Sequence, residues 1–260
     1  MKISATIITL NEEDKIRPCL ESLRDIVDEI VVVDSLSTDA TKAICEEYGV
    51  KFIEQNWLGY SEQKNLANTL ASHDWILSID ADEVLSEELR KSILEIKQNQ
   101  QSDPNKVFSF NRLNNYCGKW IHHSGFYPDK KIRIWNRNIG KWEGIVHEVI
   151  RFSSKVEETH LKGDLLHYSY SKPEDFEKQV FKFAEMRAQH YFEKGKKNAG
   201  LLKIVSPIYY FIQHYILRLG FLDGKEGFTM CWVGARATKH KYKTLQEMRQ
   251  NSLTTNRTTF

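Results

Sequence analysis

Between Trp75 and Leu85 the chain reads WILSIDADEVL, an apolar run that ends in three acidic residues, Asp80, Asp82 and Glu83. Ile76, Leu77 and Ile79 have the pattern of a strand buried on both faces, and the acids stand where that strand leaves its sheet. Alternate residues of an extended backbone face the same way, so Asp80 and Asp82 share a side with small Ala81 between them. Two carboxylates this close repel unless a cation lies between them, and hard divalent metals prefer oxygen ligands. Such a pair can hold a metal and, through it, nucleotide phosphates at the carboxyl edge of an α/β sheet. The same residues also suit a solvated strand-to-helix turn in which Asp82 or Ser86 caps the next helix. A short acidic motif does not choose between the two.

The elements that must position these acids can be read from periodicity. Ile3 to Leu10 (ISATIITL) is β-branched and nearly all apolar, as in a doubly buried strand, and Asn11-Glu12-Glu13-Asp14 then suits the first turn of a helix. Ile30 to Val33 is a second strand, ending in the polar loop Asp34 to Asp39, and a helix follows that stops near Gly49. Val50 to Ile53 is a third strand, Tyr60 to Leu70 a helix, and Trp75 to Ile79 a fourth strand. Strands alternating with helices imply a parallel, doubly wound α/β sheet, in which ligands bind outside the carboxyl ends of the strands. Three strands here end in polar clusters, Thr9-Leu10-Asn11-Glu12, Asp34-Ser35 and Asp80-Ala81-Asp82. Their convergence is worth more than any one of them.

From about Val107 the texture changes to short aromatic-rich strands: FSFNRLNNY, Trp120 to Phe126, IRIWNR at 132–137, WEGIVHEVI at 142–150 and DLLHYSY at 164–170. Three histidine positions fall here, His122 with His123, His147 and His167. A lone histidine is usually a satisfied structural residue, but His147 is followed directly by Glu148. Arg133 and Arg137 carry forks that match phosphate, or else are solvated strand charges. The chain therefore divides into 1–170, with halves 1–106 and 107–170, and a helical, basic region 171–260.

In that last region Pro173 to Phe192 reads as a helix with proline in its first turn. Ser206-Pro207 reads as the start of another, with Gly220 as its stop. Ile208, Phe211, Ile212, Tyr215, Ile216 and Leu219 form an apolar stripe, with Gln213, His214 and Arg218 opposite. At ~1.5 Å per residue this helix is too short to cross a ~30 Å hydrocarbon core. It either lies in a membrane surface, favoured by Lys203, Lys239, Lys241 and Lys243, or docks on the sheet domain.

Bulk properties fit a folded protein: 260 residues, 41% hydrophobic and 28% charged. Residues 1–160 hold 20 Lys and Arg against 26 Asp and Glu, whereas 161–260 hold 17 against 9, so the basic charge gathers at the carboxyl-terminal end. Cys19, Cys45, Cys117 and Cys231 lack metal or redox spacing and read as reduced thiols of a cytosolic protein. The apolar run at the amino terminus is too short for a secretory signal and reads better as a strand.

Taken together, TIITLNEE, VVVDSLSTDAT, GYSEQKNLA, LSIDADE and WEGIVHE resemble a family 2 glycosyltransferase of GT-A fold, over nearly the whole chain. The pattern is similar to the bacterial lipopolysaccharide core β-glucosyltransferase branch, where PD…IRIWNR and a late GFLDG also occur. The resemblance implies an α/β, Rossmann-like doubly wound mixed sheet with C-terminal amphipathic helices. It implies that Thr9, Asn11 and Glu12 line a nucleotide pocket, that Asp34 holds base or ribose, and that Lys64 sits by the uracil or diphosphate. Asp80 would reach ribose or metal, and Asp82 would bind Mg²⁺ or Mn²⁺, with His167, and less well His147, completing the metal shell. Glu148 is the expected base that deprotonates an acceptor hydroxyl, with Glu143 in reserve. Many members carry an acidic pair where this chain has His147-Glu148. Arg133, Trp142 and His147 are the candidate acceptor-binding residues.

The function so implied is inverting transfer of a sugar, with UDP-glucose the expected donor, to a membrane glycolipid such as lipopolysaccharide core. The expected location is cytoplasmic, peripheral on the inner face of the cytoplasmic membrane. Transfer to a polyprenyl phosphate would need no strong base, so the His-Glu pair argues against it. A nucleotidyltransferase would bring a Gly-rich phosphate loop after the first strand, and TLNEED has none. A non-catalytic sugar-nucleotide-binding protein would bind without releasing nucleoside diphosphate. The scattered basic residues carry no nucleic-acid reading motif, and no nucleic-acid partner is expected.

Overall fold

The computed structural model describes residues 1–99, 103–144, 148–196 and 199–255. These fall into two compact units, Met1–Leu113 with Asp129–Tyr168, and Asn114–Pro128 with Ser169–Phe260. Segment 114–128 therefore groups with the carboxyl-terminal helices rather than with the acceptor half.

The first unit opens with β1 (Ile3–Thr9), α1 (Ile16–Leu23), β2 (Glu29–Asp34), α2 (Thr41–Glu47), β3 (Lys51–Glu54), α3 (Tyr60–Leu70) and β4 (Trp75–Ser78). After these, in chain order, come β5 (Glu83–Leu85), α4 (Glu87–Asn99), β6 (Lys106–Tyr116), β7 (Lys119–Ile121, in the second unit), β8 (Asp129–Asn136), β9 (Gly140–Glu143), β10 (Val149–Phe152) and β11 (Glu157–Tyr170). The sheet order is β3-β2-β1-β4-β8-β6-β11-β5. Its first four strands are parallel, with Thr9 level with Asp34 on β1 and β2 and Thr6 level with Ser78 on β1 and β4. Beyond β4 the sheet turns antiparallel, beginning with Trp75 opposite Asn136 on β8. Because β2 and β4 flank β1, the winding reverses at β1, and the crevice at the carboxyl ends of β1, β2 and β4 is where such a sheet binds ligands.

These strands form because both faces are covered. Every residue of β4 and all of β1 except Ile8 are buried. Ile3, Ile7, Leu20, Leu77, Phe108 and Ile134 meet in one apolar core, and Val31, Ile76, Trp135 and Trp142 in another. The hydroxyls of β1 are satisfied locally: Ser4 Oγ donates to Glu29 Oε2 at 2.6 Å and Thr6 Oγ1 to Asn68 Oδ1 at 2.9 Å. An unpaired hydroxyl there would cost ~1–3 kcal/mol.

Two sequence expectations fail for local reasons. The first helix starts at Ile16 and not at Asn11, because Asn11 adopts a left-handed backbone (φ 54°) and spends its side chain on the neighbouring loop. Pro207 lies inside a helix rather than at its start, since α6 runs Ala199–Phe211 and passes into a π-helical stretch, Ile212–Leu217. A proline in that interior removes one backbone donor.

The second unit consists of β7, paired with Asn114–Tyr116 at the end of β6, together with α5 (Pro173–Glu193), α6 and α7 (Gly224–Thr255). Tyr116, Ile121, Phe176, Met230 and Val233 make its core. The helices α6 and α7 approach closely because position 234 is glycine: a Cβ there would lie 2.4 Å from the Tyr210 ring.

Candidate active site

The loop after β1 and the loop after β2 are tied into one polar shelf. Buried Asp34, level with Thr9, accepts from Thr9 Oγ1 at 2.8 Å, Ser37 Oγ at 2.5 Å and Ser37 N at 2.7 Å. That uses all but one of a carboxylate's ~four lone-pair positions, leaving room for one further donor. Asn11 Oδ1 accepts from Thr38 N at 2.8 Å, and Glu12 N donates to Thr41 Oγ1 at 2.8 Å. Burial pushes the Glu12 carboxyl up; Lys15 opposes this, and Asp82, Asp39 and Asp80 add to it. So Thr9, Asn11, Glu12 and Asp34 are brought together, as the sequence implied.

Helix α3 supplies the floor. Gln63 Nε2 donates to Ser35 Oγ at 3.1 Å, while its Oε1 is buried with no hydrogen-bond partner among the described residues. Lys64 places Nζ 2.8 Å from Asp80 Oδ1 and 4.8 Å from the centre of the Trp142 ring. Its charge thus serves both a carboxylate and an aromatic face.

Behind Asp80 lies a charge cluster that was not legible in the sequence. Arg133 on β8, only 4% exposed, sets Nη2 2.6 Å from Glu83 Oε1 and 3.2 Å from Asp80 Oδ2. Arg112 on β6 lies 3.7 Å from the same Glu83 oxygen and pairs with Asp129 at 2.9 Å. Burial alone would raise the Asp80 carboxyl, but Lys64 and Arg133 outweigh it and hold it well below the usual range. Glu83 goes the other way: burial pushes it up and Arg133 only partly offsets that. Asp80 is accordingly a firm carboxylate at the mouth, and Glu83 a buried support whose Oε2 accepts the Asp80 N–H at 2.9 Å.

Asp82 is oriented differently. Its Oδ2 lies 3.3 Å from His167 Nε2 on β11 and 3.8 Å from Lys15, and both Asp82 and His167 are partly exposed. β5 brings the histidine there, because His167 stands opposite Glu83 in the antiparallel pair. No group of three His, Cys, Asp or Glu able to hold a metal occurs among the described residues. An open pair of one carboxylate and one imidazole still fits Mg²⁺ or Mn²⁺. Mg²⁺ in particular keeps waters and takes its remaining ligands from substrate phosphates.

The acceptor assignments need correction. Arg133 is turned inward as described, so it is neither a phosphate fork nor a solvated strand charge. Arg137 caps α3, donating to the carbonyls of Asn68 at 3.0 Å and Ala71 at 2.5 Å. Trp142 is 7% exposed and packs edge-to-face on Trp135 with ring centres 5.6 Å apart, which makes it core rather than contact surface. Asn65 clamps it to α3 through two bonds, Trp142 N to Oδ1 and Nδ2 to Trp142 O, each 2.9 Å. Glu148 is partly exposed and immediately precedes β10. Glu143 faces Arg151 at 3.8 Å and Lys141 at 3.4 Å across and along the β9–β10 ribbon. His147 lies outside the described residues.

Sequence reasoning missed Arg112, Gln63 and Lys15, and named Glu83 among the strand-end acids without giving it a role. The signal for Arg133 was available in part, since IRIW has the apolar density of a doubly covered strand, where a charge must be paired.

A family model for glycosyl transferase family 2 matches residues 4–141. An uncharacterized glycosyltransferase of Rickettsia bellii is 31% identical over 98% of this chain and 88% of its own length. The Rhizobium meliloti lipopolysaccharide core biosynthesis glycosyltransferase LpsC is 31% identical over 90% of this chain and 88% of its own. Among solved structures, S. aureus TarS 1-349 in complex with UDP covers 96% of this chain and 92% of its own at 20% identity and a TM-score of 0.47. Glucosyl-3-phosphoglycerate synthase from Mycobacterium tuberculosis, in complex with Mn²⁺, UDP and glucosyl-3-phosphoglycerate, covers 44% of each chain at 23% identity and a TM-score of 0.35. With a mixed α/β sheet wound about β1, a polar crevice at its strand ends and relatives that match along nearly its whole length, the chain belongs to glycosyl transferase family 2 and has the GT-A fold.

Proposed function

We propose that this glycosyltransferase is a metal-dependent, inverting hexosyltransferase that moves glucose from UDP-glucose to a membrane glycolipid of the lipopolysaccharide core type. The observation that carries the reading is the Asp82–His167 pair opening beside the shelf built on Asp34 and Asp80. The similarity to LpsC, named for lipopolysaccharide core biosynthesis, supports the acceptor class.

In this reading Thr9, Asn11, Glu12 and Asp34 hold the nucleoside. Asp80, kept ionised by Lys64 and Arg133, accepts from ribose hydroxyls, and Lys64 lies within reach of the diphosphate. Asp82 and His167 are the residues that would hold Mg²⁺ or Mn²⁺, and when bound the ion would supply charge neutralisation for the departing nucleoside diphosphate. Glu148 takes the proton of the acceptor hydroxyl as that oxygen attacks the anomeric carbon from the face opposite the diphosphate; such a base contributes ~10²- to 10⁴-fold. His147, beside it, orients the acceptor. Trp142 and Arg133 serve as positioning residues, the first by fixing Lys64 and the second by fixing Asp80. The enzyme works peripherally on the inner face of the cytoplasmic membrane; no helix among the described residues is long and apolar enough to cross one.

The test is Asp82→Ala, assayed for metal-dependent UDP release and for transfer of labelled glucose to a lipopolysaccharide core acceptor. Both activities are expected to disappear. Turnover equal to that of the unaltered enzyme overturns the assignment.

A further inference from the structure

We infer that the outer face of α6 and of the turns that follow it is a docking surface for the interfacial layer of an anionic lipid bilayer. Leu201 (65% exposed), Ile204 (64%), Ile208 (60%), Ile212 (42%) and Ile216 (51%) recur every three or four residues, so one whole stripe of the helix is apolar and open. The patch continues through Leu219, Phe221 and Leu222 in the following turn, and onto α7 through Phe228 and Trp232, which stack nearly parallel at 6.4 Å. Monomeric soluble proteins rarely expose an apolar patch of this extent without a partner.

Packing within the unit does not account for the stripe. The opposite face of α6 is the one that meets α7, through Tyr210 against Gly234. The inner face of α6 thus packs within its own unit while the outer one stays exposed. The composition of this stretch selects its occupant. From Lys194 to Leu222 the chain has no acidic residue, and exposed Lys194 and Arg218 stand toward its two ends, whereas Lys203 Nζ is spent on Gln246 of α7 at 3.0 Å and Lys196 lies over the Tyr191 ring at 4.0 Å. An anionic bilayer satisfies an apolar stripe that carries cations and no carboxylate at its ends. Tyr209, Phe221 and Trp232 supply the aromatic rings that favour the headgroup level. The docking is in-plane, since the helix exposes one face only. This inference deepens the proposed function, on which it rests for the identity of the membrane-bound acceptor.

The full chain is floated with vesicles of phosphatidylethanolamine and phosphatidylglycerol, and separately with phosphatidylcholine alone. Ile204→Glu/Ile208→Glu alters two exposed residues outside the active site, and its thermal melt and UDP release from donor are measured alongside. The unaltered chain is expected to float with the anionic vesicles, and the variant to lose roughly tenfold or more of that partitioning with its melt and UDP release unchanged. The inference is overturned if the unaltered chain stays unbound, if the variant floats equally well, or if the substitution only converts a dimer to a monomer. Vesicle binding without sugar transfer defeats the acceptor reading alone, and transfer to detergent-dispersed acceptor without vesicle binding defeats the docking surface alone.

Discussion

Replacing Arg133 with methionine removes the cation that holds two carboxylates in place, and its effect can be worked out from the geometry. Glu83 is fully buried and lies 2.6 Å from Arg133, with Arg112 at 3.7 Å already paired to Asp129. A single contact at ~4 Å with an effective dielectric of ~20 is worth ~4 kcal/mol before desolvation. Stripping one partner from a buried pair costs ~3–5 kcal/mol in practice. A loss of that size lowers Tm by roughly 6–20 °C for a chain of this length.

The pH dependence gives the sharper test. Burial already pushes Glu83 above its ordinary value of 4.5, and loss of Arg133 pushes it further. A carboxyl raised in the folded state binds more protons there than in the unfolded chain, so stability falls as pH rises through the folded-state value. The deficit of Arg133→Met should therefore be largest near neutrality and should shrink on acidification toward pH 4.5. Chemical denaturation of both proteins between about pH 5 and 8 measures it, with Glu83→Gln/Arg133→Met expected to recover part of the loss. A deficit under ~1 kcal/mol at neutral pH, or one that grows on acidification, refutes the view that Arg133 neutralises Glu83.

Three further outcomes are expected. Glu148→Gln should retain UDP-glucose binding by calorimetry while transfer drops ~10²- to 10⁴-fold; unimpaired transfer would place the base elsewhere. His167→Ala should raise the Mn²⁺ concentration needed for half-maximal UDP release, and an unchanged requirement would remove it from the metal shell. Gly163→Ala should cost about 2 kcal/mol or more, because Gly163 has φ +88° and a Cβ would lie 2.2 Å from Leu89 N; a melt unchanged from that of the parent would show that α4 yields there.

What the sequence made legible follows from how each element is stabilised. β1, β2 and β4 were readable because burial on both faces leaves no alternative to apolar, β-branched residues, and α3 runs over the very residues Tyr60–Leu70 that its pattern marked. Convergence of the strand-end clusters followed from the winding. Orientation was less accessible: the apolar density of IRIW says that an arginine there must be paired, but not that its partner is a carboxylate 50 residues away. The register β8 takes against β4 decides that. Trp142 was misjudged for a similar reason, since its burial depends on Asn65 of a distant helix. The displaced starts of the helices near Asn11 and Pro207 reflect two backbone facts, a left-handed asparagine and a proline accepted within a helix, that composition does not show.

The pairing of β11 with β5 has a further consequence. His167 faces Asp82 because Leu165 lies opposite Leu85 and Leu166 opposite Val84, with Tyr168 N bonded to Asp82 O at 2.9 Å. Asp164 and Ser86 bond to each other at 3.0 and 3.1 Å just upstream, beside the tight Gly163 turn of the backbone against Leu89. Side chains alternate along a strand, so sliding this zipper by one tooth would send the imidazole to the far side of the sheet. An insertion or deletion between Gly163 and Leu166 would then part His167 from Asp82 while both residues remained in the sequence.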